Sequence, residues 1–240
     1  PCETTGLPTP AEQQLLAPYA HDLPPGTLGP MTVPPNTNPP GSLRANLLQA
    51  RALLQQAGWT VQGGVLRNAQ GQALELEYLD SNEGGLRVVA PWQRNLEKLG
   101  IRLRYRAVDF ALYQQRLQKF DFDITSIAYQ GTNNPGQELA DFFGSQAADQ
   151  EDSGNFPGVK NPAVDALIDK IVTARTQDEL LPACHALERV IAHGHYLIPQ
   201  WYASTHRMAY NAWRLAMPSV LPPYSTGEDW VLQTWWSKKQ

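Results

Sequence analysis

Lysine and arginine are missing from the first 41 positions of this chain, and no run of basic residues occurs later. With 19 Lys and Arg against 23 Asp and Glu, the net charge is −4. A duplex or single strand needs a clustered basic stripe, so nucleic acid is not expected as a partner. No stretch approaches 18 uninterrupted apolar residues, and no membrane-spanning helix is expected. Cysteine is scarce: Cys2 and Cys184 are the whole supply. Two unpaired thiols are the simpler expectation, because Cys2 lies in what reads as an extended arm. The sequence also lacks a nucleophile elbow, a phosphate-cradling glycine loop and a zinc-binding motif. Serines and histidines are present, but no spacing brings them together, which argues against an enzyme.

What is present is a globular composition, 42% apolar and 18% charged over 240 residues. That suits one α/β domain with extensions, or two small domains. Residues 1–41 hold 11 of the 20 prolines and end in Pro39-Pro40-Gly41. They read as a proline-stiffened arm on a surface or leading to another part of a larger protein. A short helix is expected at 10–20, capped by Thr9. Ser42 caps a clear helix with an apolar stripe at Leu43, Leu47, Ala50, Leu54 and Ala57, closed by Gly58. Two short runs, 59–62 and 65–67, flank Gly63-Gly64 as a hairpin.

The region from Leu74 to Ala128 is the most structured. Leu74, Leu76 and Tyr78 alternate with acids on a strand. Leu86, Val89, Trp92, Leu96 and Leu99 trace a helix that Pro91 should kink or restart. Ile101, Leu103 and Tyr105 alternate with Arg102, Arg104 and Arg106 on a second strand. Asp109 caps a second helix with the stripe Phe110, Tyr113, Leu117 and Phe120, and 122–128 make a third strand. Strands joined by helical crossovers are parallel, which places the loop 129–136 at a carboxyl edge, where open α/β sheets bind ligands. Further on, helices are expected at 138–145, from Asn161-Pro162, and from Thr176 to Gly194. Residues 196–211 read as one or two strands. The tail, 212–240, carries Trp230, Trp235 and Trp236 and should pack on something.

Taken together, ARALLQQAGW (50–59), VVAPWQRNLEKLGIRLRYRAVDFALYQQRLQKFDFDITS (88–126), DFFGS (141–145), VKNPAVDALIDKIVTA (159–174) and YLIPQWYASTHRMAYN (196–211) resemble the later half of the family 5 extracellular solute-binding proteins, in particular the branch called YejA-like. The resemblance implies an α/β fold like a lobe of the type II periplasmic binding proteins. A mixed sheet flanked by helices occupies 42–211, with the proline-rich arm (1–41) before it. The resemblance also implies a tail (212–240) that returns to the other lobe. It implies a substrate-binding component of an ABC importer that holds peptides in a cleft between two lobes. The partners would then be a peptide ligand, a membrane permease and the N-terminal lobe of the same protein, in the periplasm, with no cofactor. Many members carry Trp and then Asp after the third strand. Here Tyr129 takes the Trp position, and no acid follows before Glu138 and Asp141.

Each candidate has a structural alternative. Tyr129 is read as a ligand wall or as ordinary packing. Gln130, Asn133 and Asn134 can bond a peptide backbone or serve plain turn chemistry. Glu138 and Asp141 can meet an amine, or favour a helix start. Of Trp201 and Tyr202, one should face the core and the other the cleft. His193 and His195 flank Gly194 without a third ligand, so no metal is expected. Arg102, Arg104 and Arg106 are expected on a solvated edge, and Asp121 and Asp123 at an exposed strand start. Two rival readings remain: a Rossmann-like enzyme, betrayed by turnover or a bound nucleotide, and a scaffold or sensory domain using the receptor fold.

Overall fold

Thr9 accepts the backbone N–H of Glu12 and starts helix α1 (Pro10–Leu16) in this computed structural model, which describes residues 3–129, 135–200, 208–220 and 227–238. Ser42 caps α2 (Leu43–Gln56) through the N–H of Ala45 at 3.1 Å. Gly58 stops α2 with φ +87, a left-handed turn that glycine takes without steric cost. Strands β1 (Thr60–Gln62) and β2 (Val65–Arg67) then pair antiparallel around Gly63-Gly64. The central run follows: β3 (Glu75–Asp80), α3 (Leu86–Glu97), β4 (Arg102–Ala107), α4 (Phe110–Gln118) and β5 (Ile124–Thr125). Beyond it lie α5 (Glu138–Phe143), α6 (Pro162–Thr173) and α7 (Gln177–His193). Asp109, Asn161 and Thr176 cap α4, α6 and α7 as their positions predict.

The three strands form one parallel sheet in the order β4-β3-β5, with Tyr78 opposite both Tyr105 and Ile124. The α/β class holds, and the antiparallel hairpin lies outside this sheet. Alternation along β3 decides which helix covers which face. Tyr78 and Leu103 pack with Val89, Trp92 and Leu96 of α3. On the opposite face Glu77 takes the guanidinium of Arg116 from α4 at 2.8 Å. Leu79, fully buried, sits on that same face by alternation, worth about 2 kcal/mol as burial.

Some details depart from the sequence expectations. α3 runs through Pro91 without a break. Phe110, at the first position of α4, is 64% exposed rather than part of its buried stripe. The third strand shrinks from 122–128 to two residues. Side chains take over its edge: the Thr125 hydroxyl donates to the carbonyl of Leu79 at 3.1 Å, and Ser126 bonds the hydroxyl of Tyr78. Asp123 is not idle at the strand start, since it accepts the N–H of Glu77 at 2.8 Å. Arg102 and Arg104 reach Glu75, and Arg106 reaches Glu77, in exposed pairs that contribute little stability.

The largest departure is the proline-rich segment. Leu16 is fully buried in a core made with Val164, Leu167, Ile171, Leu187 and Val190 of α6 and α7. Arg189 of α7, with no exposed surface, donates to Glu12 at 2.7 Å. Its remaining N–H groups reach Thr4, the carbonyls of Thr5 and Gly6, and the carbonyl of Gly29. Asn161 adds a bond to the carbonyl of Asp22 at 2.7 Å. The segment is therefore part of the α6–α7 core. Backbone carbonyls from both sides of α1 converge on one guanidinium, whose five N–H donors can hold several oxygens at once.

The chain divides into two compact units, Pro1–Leu197 and Ile198–Gln240. In the second unit β6 (Leu215–Ala216) pairs antiparallel with β7 (Trp236–Ser237), and α8 (Gly227–Thr234) lies between them in sequence. Trp235 stacks edge-on with both Trp230 and Tyr210, so two of the three tail tryptophans pack within this unit. Residues 196–200 and 208–211 carry no strand, and 201–207 fall outside the described residues.

Replacing Arg189 by Met should strand the Glu12 carboxylate and the arm carbonyls. Urea unfolding should then report a loss of about 3–5 kcal/mol. A change below about 1 kcal/mol would show that the arm is held by its apolar contacts alone.

Candidate ligand-binding crevice

Strand β3 lies between its two successors. The crossover from β3 to β4 passes over one face of the sheet through α3, and that from β4 to β5 over the other through α4. The segments that leave β3 and β5 should therefore diverge, and the space between the carboxyl ends of those strands is the usual ligand position in an open parallel sheet, here the candidate crevice.

One wall is the turn after β3. Asp80 accepts the N–H of Asn82 at 3.0 Å, and Asn82 accepts that of Gly84 at 2.8 Å. The Tyr105 hydroxyl, at the end of the neighbouring strand, donates to Asp80 at 2.5 Å and lies against the Asn82 carbonyl. Burial, then the bond to Asp80 and its charge, push the Tyr105 phenol well above its ordinary range. A Cβ on Gly85 would press on the Asp80 carboxylate and the Tyr105 hydroxyl, so a larger residue there would have to displace this pair.

The other wall follows β5. Tyr129 packs its ring on Phe142 and Phe143 of α5, with centroids 4.8 and 5.4 Å away. Its hydroxyl donates to the Gly154 carbonyl at 3.3 Å, while Asp141 accepts the Gly154 N–H at 3.1 Å. Tyr129 and Asp141 thus hold the two peptide groups that flank the Gly154 Cα, one through its carbonyl and the other through its N–H. Burial, then the charge of Asp141, pushes the Tyr129 phenol up to about 12. Glu138 accepts the N–H of Gly136 at 3.1 Å, which ties the loop to the start of α5.

The structure therefore brings Tyr129 and Asp141 together, with Glu138 three residues from Asp141 on α5. Each makes a defined contact within the chain. Gln130, Asn133, Asn134, Trp201 and Tyr202 lie outside the described residues. His193 ends α7, its ring close against Gly26, and burial followed by the charge of Arg189 lowers its pKa. No group of three His, Cys, Asp or Glu that could hold a metal occurs among the described residues. Cys184 is buried in the α6–α7 core, and Cys2 is outside the described residues.

Sequence reasoning located the loop after β5 but overlooked the wall after β3, namely Asp80, Asn82 and Tyr105. The signal was available: Asp80-Ser81-Asn82 followed by Gly84-Gly85 is a turn string at the end of a strand. Recognising its partner Tyr105 required the strand order, which the sequence does not print.

Comparison with known proteins places this arrangement. The sequence pattern described as "Bacterial extracellular solute-binding proteins, family 5 Middle" matches residues 15–151. A protein of Agrobacterium fabrum named "Probable peptide-binding protein YejA" is 39% identical over 238 residues, covering 98% of this chain and 38% of that protein. Among solved structures, the oligopeptide-binding protein AppA of Bacillus subtilis, in complex with a nonapeptide, aligns with a TM-score of 0.54. That alignment is 19% identical and covers 62% of this chain and 30% of AppA. A periplasmic oligopeptide-binding protein of Thermotoga maritima with bound mannohexaose aligns at 0.58, with 16% identity over 80% of this chain and 39% of that one. At these identities the two structures establish the fold alone. The chain spans less than two fifths of the length of the curated relatives it matches.

Two outcomes test the β5 wall. A Cβ at Gly154 would stand 2.6 Å from the Asp141 carboxylate and 2.7 Å from the Phe142 ring. Gly154→Ala should therefore lower the thermal midpoint by several degrees, roughly 1–3 kcal/mol as overpacking. The Tyr129 phenol, raised to about 12 from an ordinary value near 10, stays protonated in the folded state while the unfolded chain ionises. Its contribution to stability is present below pH 10 and is lost as pH rises towards 12. Absorbance titration of tyrosinate should show a late-ionising phenol that moves to lower pH in Asp141→Asn; an unmoved titration would separate Tyr129 from Asp141.

Proposed function

Because the chain belongs to the bacterial extracellular solute-binding proteins of family 5, we propose that it supplies one lobe of the substrate-binding component of an ABC importer. The ligand is a peptide, held between this lobe and an N-terminal lobe of the same protein, in the periplasm. The carrying observation is the crevice at the carboxyl ends of β3 and β5, with the half-buried ring of Tyr129 fixed at its wall. An aromatic locked on one face by Phe142 and Phe143 offers its remaining surface to a ligand at little entropic cost. Gln130, Asn133 and Asn134, from the same loop, bond the peptide backbone. Glu138 and Asp141 bias the site towards amines and basic side chains. Trp201 and Tyr202 supply further aromatic surface, and residues 212–240 return to the other lobe.

The work done is binding, without catalysis. A ligand that touches both lobes stabilises the closed form by its differential affinity, and the membrane permease recognises that form. Peptide main-chain groups are held by fixed hydrogen bonds, while side chains sit in wet space. Affinity then depends weakly on peptide sequence. The Tyr129 contacts sharpen the test. Tyr129→Ala removes packing as well as ligand surface, so it costs stability too, and the conservative variant is needed beside it. In the full-length receptor, Tyr129→Phe should keep stability within about 1 kcal/mol. Tyr129→Ala should weaken a tetrapeptide by about tenfold or more in calorimetric titration. Full affinity in Tyr129→Ala would remove this residue from the site.

A further inference from the structure

A second surface stands at the other end of the sheet. α2 lays Leu47, Ala50 and Leu54 on a core of Leu66, Leu99 and Ile101, at the amino end of β4. The ligand crevice is at the carboxyl end, about 20 Å away along six-residue strands. Beside α2 runs an open groove of about 440 Å³, lined by Leu43, Leu47, Leu48 and Leu99 and rimmed by Arg44, Arg51 and Lys98. Leu48 and, further round the helix, Leu53 are 59% and 56% exposed. Leu43 and Leu48 thus leave apolar surface in water beside the groove's cations.

The charge around the groove is one-sided. Residues 23–74 contain no Asp or Glu, although the chain as a whole is acidic at −4. None of Arg44, Arg51 and Lys98 enters an ion pair among the described residues. Lys98 only donates to Asn95, at 3.0 Å. Arg102, Arg106 and Arg116 meet carboxylates on the central sheet, whereas the groove presents its three cations without one. The groove thus offers an apolar floor, three cations and no anion. A surface of this kind is complementary to an acidic amphipathic segment and repels a basic one.

We infer that the α2 groove docks an acidic amphipathic helix of a partner protein, at a site separate from the ligand crevice. The spacing defines the fit. Arg44 and Arg51 are seven residues apart, about 10 Å along the α2 axis. Carboxylates two turns apart on the incoming helix meet both, and the leucines between them enter the groove. The concavity favours a helix over a lipid surface, which would call for a convex apolar face. Since the groove is at the amino end of the sheet, docking there proceeds whether or not the crevice holds its ligand. It does not depend on that ligand being a peptide.

The test uses the full-length protein and two synthetic helical peptides. One repeats Leu and Glu with acids seven residues apart; the other replaces each Glu by Lys. Fluorescence anisotropy should show the acidic peptide binding at least about tenfold more tightly than the basic one. Arg44→Glu with Arg51→Glu should erase that preference, and Leu48→Asp should weaken the acidic peptide alone. All three substituted residues are exposed, so the fold should persist, as circular dichroism will show. Equal binding of both peptides, or binding of neither, would overturn the inference. So would charge-dependent co-sedimentation with phosphatidylglycerol vesicles in the absence of peptide binding, which would assign the surface to a membrane.

Discussion

Everything that gives this lobe a place for a ligand depends on β3 being paired on both sides. Its neighbours in sequence attach to opposite edges, β4 on one and β5 on the other. That single choice of pairing sends α3 and α4 to opposite faces. It also separates the loop after β3 from the loop after β5, and makes a crevice between them. Had β5 paired outside β4, both helices would lie on one face and no switch would exist. The strand is equipped for the role. Leu79 and Tyr78 are buried on opposite faces, and Glu77 engages Arg116 where a purely apolar strand would have no partner for α4.

A second constraint holds the other half of the unit. Proline-rich segments without basic residues usually read as spacers, yet here residues 3–31 close over α7. The reason is one buried guanidinium. Arg189 leaves water entirely, a large desolvation cost that only Glu12 and a ring of backbone oxygens can offset. The acid belongs to α1 and the carbonyls to the loops on either side of it. Binding Arg189 and folding the arm are therefore one event. The family match begins at residue 15, inside α1, so the arm and the central sheet fall largely in one recognisable stretch.

The sequence foretold local order better than long-range partnership. Thr9, Ser42, Asp109, Asn161 and Thr176 each announce a helix start, because a capping oxygen acts within three residues. Alternation in 74–78 and 101–106 announced strands, and helical crossovers made them parallel. Three features depended on residues far apart and stayed hidden: the arm's attachment through Arg189, the short β5 closed by Thr125 and Ser126, and the wall of Asp80 and Tyr105. Tyr129, picked from its place after the third strand, lies just beyond β5 with its ring against Phe142 and Phe143. Its grip on Gly154, shared with Asp141, could not be inferred, since nothing in the local pattern links positions 129, 141 and 154.

If the carboxyl ends of β3 and β5 form half of a peptide site, peptides should leave the intact protein when it unfolds. Mass spectrometry of small molecules released when the full-length protein is denatured tests it most directly. Short peptides of mixed sequence, present in the full-length protein and depleted in the isolated chain, are the predicted result. A nucleotide, a metal or a sugar released in place of peptides would contradict it.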